Sequence, residues 1–451
     1  MVKNKNFKVK IMQKISSAKL KEILNSPSNV ENVMIERIST DSRNVDRNSV
    51  FIALKGEKFD AHDFVKDVYQ KGCRLMVVNR MIDGVPAQNQ LIVDDTLKAY
   101  GKIGAYNRSL FKGIVIGLTG SSGKTTTREE IAFLLSKFGK VYSTSGNHNN
   151  FVGVPQSLCD LDMNAEYAVL EMGMSAKDEI SALTNMVKPD IAIVTNVYPM
   201  HIEFFENFEG IAHAKAEIFE GLKIGGTAII NEDTNFADIL ISEAKKRASK
   251  IITFGKNHHP EAKFQPQDEG EHHLYNGWCA LSVVEALGLD VTKAASYIKD
   301  FGALEGRGKK HFLSFAKGTY TLIDDSYSGQ PEAMMIAIKS LSDSKTAGRK
   351  IAVLGKMGEL GKTSKARHQD VGKCLAESNI DIVIGVCEET KDILAQLPNN
   401  KEQYYFENKD GLTDFLLEKI LQNGDSVLIK GSHYASKLFQ VAAELIKRGE
   451  L

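Results

Sequence analysis

A glycine-rich turn between two apolar segments is the feature that most limits how this chain of 451 residues can fold. Residues 117–126 read Gly-Leu-Thr-Gly-Ser-Ser-Gly-Lys-Thr-Thr. The preceding run, residues 113–119, is mostly apolar and suits a buried strand, whereas residues 125–138 carry apolar side chains at helical spacing. A buried strand, a tight turn and a helix in this order predict an α/β domain with a mainly parallel sheet.

The chemistry of this turn predicts a phosphate-binding loop. Small residues let backbone N–H groups approach phosphate oxygens, and the helix that follows adds the positive end of its dipole. Lys124 has the length to reach the outer phosphates of a nucleotide, and the Thr125 hydroxyl suits Mg²⁺. The predicted nucleotide-binding residues of the loop are Gly120, Ser121, Ser122, Gly123, Lys124, Thr125 and Thr126.

Strand-like and helical segments alternate along most of the chain and divide it into three predicted domains. These cover residues 1–110, 111–310 and 311–451, and the glycine- and charge-rich stretch 302–310 marks the second boundary. The predicted strands include residues 50–54, 75–78, 91–93, 113–119, 167–171, 191–196, 320–324, 350–354, 380–386 and 426–430. We therefore expect a central mainly parallel sheet flanked by helices and a Rossmann-like third domain.

Composition excludes several classes of protein. Lys plus Arg and Asp plus Glu both number 57, so no basic excess predicts a nucleic-acid partner. We find no run near the ~20 apolar residues of a membrane helix, and the basic residues 1–17 lack the apolar segment of a secretory signal. The five cysteines are scattered without CxxC spacing. We expect a cytoplasmic protein that acts as a monomer.

Two polar segments carry a resemblance to a known family. Residues 119–126 resemble the ATP loop of the Mur ligases, which build the peptide stem of bacterial cell-wall precursors. Residues 144–155, Thr-Ser-Gly-Asn-His-Asn-Asn-Phe-Val-Gly-Val-Pro, resemble the signature of the branch that adds D-alanyl-D-alanine. That resemblance implies that Thr144, Asn149 and Asn150 help to hold a UDP-sugar substrate and ATP.

A carboxylate at the end of a predicted strand indicates a metal site. Glu171 closes the predicted strand 167–171, where the carboxyl ends of parallel strands meet the ligand crevice, and Mg²⁺ favours such an oxygen ligand. His201 follows the next strand within Met-His-Ile-Glu and, by the same resemblance, is a second candidate ligand. Lys215 lies in Ala-Lys-Ala-Glu-Ile-Phe, which resembles the family segment whose lysine is carbamylated and helps to position magnesium.

The resemblance extends along almost the whole chain and implies further nucleotide and substrate contacts. Asn276 matches an asparagine near the adenine, and Arg307 matches an arginine that braces the γ-phosphate. Residues 324–331, Asp-Asp-Ser-Tyr-Ser-Gly-Gln-Pro, imply that Asp324 contacts the ribose and that Tyr327 packs near the base. Ser42 lies in a segment, residues 39–43, that resembles the UDP-binding domain.

Three departures from the family pattern lie in the third predicted domain. Residues 328–330 read Ser-Gly-Gln instead of Asn-Ala-Asn, Lys356 replaces an acidic residue, and His433 replaces a common arginine. The resemblance places the incoming amine substrate in this domain. The departures therefore bear on substrate detail more than on ATP chemistry.

The resemblance implies an ATP-dependent amide ligase that joins D-Ala-D-Ala to UDP-N-acetylmuramoyl-tripeptide through an acyl phosphate. Lys124, Glu171, His201 and Lys215 would form its catalytic set, with Thr125, Glu171 and His201 around magnesium. The alternative is a member that adds a diamino acid to the dipeptide precursor, but those members carry Asp-Asn-Pro-Arg where residues 329–332 read Gly-Gln-Pro-Glu. Folylpolyglutamate synthase and a nucleotide-dependent switch fit fewer of the motifs.

Overall fold

The computed structural model describes residues 13–56, 59–267 and 270–449. Most of the basic leader expected at residues 1–17 lies outside these ranges. The described part contains a four-stranded sheet and two six-stranded sheets, together with a two-stranded pair near the start. Parallel pairing predominates in all three larger sheets, with helices packed against them, which confirms the predicted α/β class.

The first region is built on a parallel sheet of order β3-β4-β5-β6, preceded by the antiparallel pair β1-β2. Its strands are β1 (Ile15–Ser16), β2 (Met34–Ile35), β3 (Arg37–Ser39), β4 (Ser49–Ile52), β5 (Leu75–Val78) and β6 (Gln90–Ile92). Its helices are α1 (Ser17–Leu24), α2 (Val65–Gln70) and α3 (Thr96–Leu110). Helix α3 also packs against two helices of the next region, α5 and α6, so it connects the two regions.

The central region has an entirely parallel sheet of order β12-β11-β10-β7-β9-β8 with an apolar cluster on each face. Its strands are β7 (Ile114–Thr119), β8 (Val141–Ser143), β9 (Tyr167–Glu171), β10 (Ile191–Val194), β11 (Thr227–Asn231) and β12 (Lys250–Phe254). Its helices are α4 (Lys124–Leu135), α5 (Gly153–Cys159), α6 (Glu179–Val187), α7 (Phe208–Ala216), α8 (Ala237–Ala244), α9 (Glu271–Ala286) and α10 (Val291–Ala295). Strand β7 is an inner strand of the sheet, so the glycine-rich turn that follows it lies near the middle of the sheet's carboxyl edge.

The third region has a sheet of order β13-β14-β18-β15-β16-β17, in which only the β13-β14 pair is antiparallel. Its strands are β13 (Lys309–Phe315), β14 (Gly318–Asp325), β15 (Lys350–Gly355), β16 (Ile382–Val386), β17 (Glu402–Phe406) and β18 (Ser426–Lys430). Its helices are α11 (Pro331–Asp343), α12 (Ser364–Ala376), α13 (Lys391–Leu394), α14 (Leu412–Phe415), α15 (His433–Ser436) and α16 (Phe439–Gly449).

Three buried strands match their sequence predictions closely, whereas the buried strand β11 and the edge strand β13 have no counterpart among the predictions. Strands β5, β9 and β18 have the predicted bounds. Each is fully buried, and a fully buried strand gives a mostly apolar run that is easy to recognise in the sequence. Strand β13 was not predicted, because its charged and apolar residues alternate along a partly exposed sheet edge. Across the ranges that the structure covers, no helix is long and apolar enough to cross a membrane.

Candidate active site

A cleft of about 1180 Å³ lies where the carboxyl ends of the central strands face those of the third region. Most of the residues selected from the sequence line it: Ser121, Ser122, Gly123, Lys124, Thr125, Thr126, Asn149, Asn150, Glu171, His201, Asn276, Arg307 and Tyr327. Five do not appear among the lining residues: Ser42, Gly120, Thr144, Lys215 and Asp324. Residues separated by about 200 positions in the chain therefore meet at one site.

The glycine-rich turn is held open by backbone geometry and by a neighbouring strand end. A Cβ atom on Gly120 would lie 1.9 Å from the Thr195 hydroxyl oxygen, so only glycine fits there. The Asn196 side-chain oxygen accepts hydrogen bonds from the backbone N–H groups of Ser121 (3.1 Å) and Ser122 (2.8 Å). Asn196 thus supports the loop from just beyond the end of β10, a contact that sequence analysis did not predict.

Lys124 begins α4 and lies over the loop. Its ammonium donates to the backbone oxygen of Gly120 at 2.8 Å. Burial lowers the pKa of Lys124, while the nearby Glu171 carboxylate opposes that shift. A lysine in this position can place positive charge against the outer phosphates of a bound nucleotide.

Thr125 and Glu171 form the centre of a buried polar network. The Thr125 hydroxyl donates to Glu171 Oε2 at 2.9 Å, and Asn149 Nδ2 donates to Glu171 Oε1 at 2.8 Å. The Arg128 guanidinium lies 3.1 Å from Glu171 Oε2, and both side chains are almost fully buried. The hydroxyl and the carboxylate offer hard oxygen donors at adjacent positions, so this donor set fits a magnesium ion.

Arg128 is a part of the site that sequence analysis missed. It lies one helical turn beyond Lys124 on α4 and also donates to the Gly146 backbone oxygen at 2.8 Å. Its 1% exposure makes the arginine a fixed buried cation opposite Glu171. An arginine one turn after the lysine of a phosphate loop is the sequence signal that could have indicated its role.

His201 lies on the central side of the cleft and faces the third region. Its Nδ1 atom is 2.8 Å from Glu359 Oε2, and this contact lowers the pKa of the Glu359 carboxyl. His201 and Glu359 both have positive φ angles, 57° and 58°. The pair therefore joins the two walls of the cleft through two residues in left-handed backbone conformations.

Lys215 lies behind the cleft on α7. Its side chain is 2% exposed and forms no hydrogen bond or ion pair with any other residue in the described ranges. Burial, together with the charge of Lys124, lowers its pKa well below the usual lysine value. This shift favours the neutral amine, which is the form that can react with an electrophile.

The opposite wall of the cleft combines the linker before β13 with the ends of β14 and β18. Arg307 donates to the Thr125 hydroxyl oxygen at 2.9 Å and lies over the Tyr327 ring, with its guanidinium carbon 4.3 Å from the ring centre. Asp325 accepts from Lys430 at 2.7 Å. Arg307 thus connects the phosphate loop to the third region.

The structure places one predicted contact residue, Asp324, outside the cleft lining. Asp324 faces away from the cleft, where its Oδ1 atom accepts a hydrogen bond from the Ser326 hydroxyl at 2.6 Å. Asp325 lines the cleft instead, because successive residues of a strand point to opposite faces of the sheet. The two adjacent carboxylates could not be told apart from the motif alone, since the register of β14 was unknown.

Thr144, Asn150 and Ser42 have local structural contacts. The Thr144 hydroxyl oxygen accepts from the Glu171 backbone N–H at 3.3 Å, and Asn150 Oδ1 accepts from the N–H of Gly153 at 2.9 Å. Thr144 therefore supports the strand end that presents Glu171, and Asn150 holds the start of α5. Ser42 lies in the first region, where its backbone oxygen accepts from Lys71 at 3.0 Å.

The residues that depart from the family pattern in the third region make specific contacts in the structure. A Cβ atom on Gly329 would lie 2.2 Å from the Ser432 backbone nitrogen, so the chain approach there needs glycine. Lys356 pairs with Glu389, and the His433 ring stacks on Phe439 with centres 4.2 Å apart. Gln330 lines the cleft directly after Gly329.

Comparison with known proteins places these features in a family. The model of the Mur ligase middle domain matches residues 118–284, and the model described as "Mur ligase, glutamate ligase domain" matches residues 312–433. The UDP-N-acetylmuramoyl-tripeptide–D-alanyl-D-alanine ligase of Haemophilus influenzae is 32% identical over 93% of this chain and 95% of its own.

Two solved structures have the same architecture over almost their full length. MurF from Acinetobacter baumannii is 30% identical, with a TM-score of 0.87 over 97% of this chain and 99% of its own. MurF from Thermotoga maritima, solved in complex with ADP, is 27% identical, with a TM-score of 0.78 over 91% and 97%. The chain belongs to the Mur ligase family, and within it to the MurF group.

Proposed function

We propose that this protein is an ATP-dependent ligase that joins D-alanyl-D-alanine to UDP-N-acetylmuramoyl-tripeptide. The observation that carries the proposal is the cleft itself, in which Lys124 and Thr125 of the phosphate loop adjoin Glu171 and meet Arg307 from the opposite wall. Relatives that cover nearly the whole chain bear the name of this activity. The residues 329–332, Gly-Gln-Pro-Glu, and these relatives disfavour a diamino-acid-adding enzyme.

The reaction has two steps. A carboxylate oxygen of the tripeptide attacks the γ-phosphorus of ATP, and the bond between that phosphorus and the β,γ-bridging oxygen breaks. ADP departs, and the tripeptide now carries an acyl phosphate. The dipeptide amine then attacks the acyl carbon and loses a proton to water, and the tetrahedral intermediate expels inorganic phosphate. Lys124 and Arg307 balance negative charge on the transferred group, and the closed walls shield the acyl phosphate from water.

Thr125 and Glu171 would hold magnesium, with His201 as a further ligand on the same wall. Bound there, the metal supplies positive charge against the phosphate oxygens. Arg128 and Asn149 orient the Glu171 carboxylate, so this part of the site is preorganised before substrates bind.

We propose that Lys215 is carbamylated in the active protein. Its neutral amine attacks carbon dioxide, a carbon–nitrogen bond forms, and one proton is released. The resulting anion would lie near Lys124, whose charge acts on Lys215 in the structure. A carbon-13 NMR signal for a carbamate in bicarbonate-labelled protein, absent in Lys215→Arg, is the expected result, and equal spectra would contradict it.

The three predicted domains receive separate roles in this proposal. Residues 1–110, with Ser42, bind the uridine nucleotide, residues 111–310 bind ATP, and residues 311–451 bind the dipeptide. Thr144, Asn149 and Asn150 help to hold the UDP-linked tripeptide, and Tyr327 packs near the base of ATP. The domains close around hinges near residues 110 and 310 in a monomer that acts in the cytoplasm.

Phosphate release and product mass test the proposal together. The purified protein receives ATP and UDP-N-acetylmuramoyl-tripeptide, with and without D-Ala-D-Ala. We expect release that needs both substrates and a product heavier by one dipeptide unit. Release only with UDP-N-acetylmuramoyl-dipeptide and a diamino acid would assign the alternative activity, and ATP hydrolysis without any ligated product would contradict a ligase.

A further inference from the structure

One buried carboxyl group in the cleft has no role in the chemistry described above. Glu130 on α4 is 4% exposed and lines the cleft, yet its carboxyl group forms no hydrogen bond or ion pair with any residue that the structure describes. Burial raises the pKa of Glu130 to about 8. The group is therefore mostly un-ionised near neutral pH, and its polar atoms are available to a bound molecule.

Glu130 lies in the second turn of α4, beyond the end of the helix that adjoins the phosphate loop. It is one turn beyond Thr127, whose hydroxyl donates to Asn276 Oδ1 of α9 at 3.1 Å. It is six positions after Lys124, which corresponds to about 9 Å along a helix axis. When the loop holds the phosphates, Glu130 is at a distance suited to the base of the same nucleotide.

The surroundings of Glu130 have the composition of a base-binding pocket. Phe254, Cys279 and Ile298 line the cleft and belong to the apolar cluster that packs beneath α4 and α9. Cys279 is near enough for the Glu130 charge to raise the pKa of its thiol, after the larger effect of burial. Apolar walls with a few convergent polar groups are typical of sites for flat ring systems.

The hydrogen-bonding pattern of a protonated carboxyl is specific. It presents one O–H donor beside one carbonyl acceptor. Adenine presents a ring nitrogen that accepts beside an exocyclic amine that donates. We propose that Glu130 reads the adenine base of the nucleotide, with its O–H donating to a ring nitrogen and its carbonyl accepting from the 6-amino group. The identity of the nucleotide as an adenosine phosphate rests on the proposed function.

The test compares two nucleotides in direct binding to the full-length protein. ADP and purine riboside diphosphate, which lacks the 6-amino group, are titrated by calorimetry into wild type, Glu130→Gln and Glu130→Met. We expect wild type to prefer ADP by about tenfold, since a bidentate base contact gives discrimination of this order. Glu130→Gln keeps most of this preference, because its amide retains one donor and one acceptor, whereas Glu130→Met loses it.

Controls separate this inference from folding and from the ligase reaction. Glu285→Gln, on the exposed side of α9, should match wild type, and inorganic tripolyphosphate should bind all variants equally if the loop is intact. A Glu130→Met protein that keeps the wild-type preference overturns the proposal, as does an equal loss in Glu130→Gln. A failed ligation assay with the ADP preference intact would remove only the proposed function.

Discussion

The two walls of the cleft differ in how their charges are held. On the central wall, Arg128 and Glu171 are paired with side chains 1% and 2% exposed, and Thr125 and Asn149 complete the network. On the opposite wall, Lys430 is equally buried, but its partner Asp325 is 21% exposed. The difference shows that the central ion pair is fully enclosed by protein, whereas one member of the opposite pair is partly open to the cleft. In the proposed reaction the enclosed pair lies on the wall that meets the phosphates.

The largest effect is expected from the phosphate loop. Lys124→Ala should reduce kcat for ATP-dependent ligation by about 10³-fold, because the lysine balances charge on the transferred phosphoryl group. Steady-state phosphate release measures this loss. Lys245→Ala, at an exposed position directly after α8, is the matched control, and a similar decrease in both variants would contradict a role specific to the loop.

The buried pair of the central wall should dominate stability. Arg128→Met leaves Glu171 buried without its cation, which should lower the free energy of unfolding by about 3–5 kcal/mol. Arg43→Met breaks an exposed pair with Asp41 and should leave the unfolding midpoint almost unchanged. Urea denaturation of both variants checks the contrast, and equal losses would refute the distinction between buried and exposed pairs.

Glu130 should make stability depend on pH. The unfolded carboxyl ionises near the usual value of 4.5, whereas the folded one keeps its proton to about 8. The folded state thus binds more protons, so stability falls as pH rises between these values, by about 2–4 kcal/mol. Thermal melts at about pH 5 and pH 8 should show this fall reduced in Glu130→Gln but not in Glu285→Gln.

Close backbone contact should make Gly329 sensitive to substitution. Gly329→Ala would place a Cβ atom 2.2 Å from the Ser432 nitrogen, which should cost about 2 kcal/mol. Gly358→Ala meets Ser432 only at 3.4 Å and serves as the control. An unchanged unfolding midpoint for Gly329→Ala would mean that the opposite wall is looser than its backbone contacts indicate.

The smallest expected effect separates two adjacent carboxylates. Asp325→Asn should raise the KM for ATP about tenfold, since a charged hydrogen-bonding group is lost from the cleft. Asp324→Asn should leave KM unchanged, because that side chain faces Ser326 outside the cleft. The opposite result would restore the contact predicted from the sequence.

The sequence predicted the central wall better than the opposite one, for physical reasons. The strand, turn and helix around Lys124 form a local unit, so the motif determines both the fold and the position of the side chain. The choice between Asp324 and Asp325 depends on strand register, which distant pairing with β18 determines. The contacts of Arg128, Asn196 and Glu130 arise only when separate elements pack, and therefore no local motif predicted them.

The transfer of oxygen between substrates tests the central claim most directly. UDP-N-acetylmuramoyl-tripeptide with an oxygen-18-labelled terminal carboxylate is incubated with ATP, D-Ala-D-Ala and the protein, and the released phosphate is analysed by mass spectrometry. The account predicts one labelled oxygen in each phosphate, because the carboxylate oxygen passes to phosphorus in the acyl phosphate. Unlabelled phosphate, with ligated product present, would contradict it.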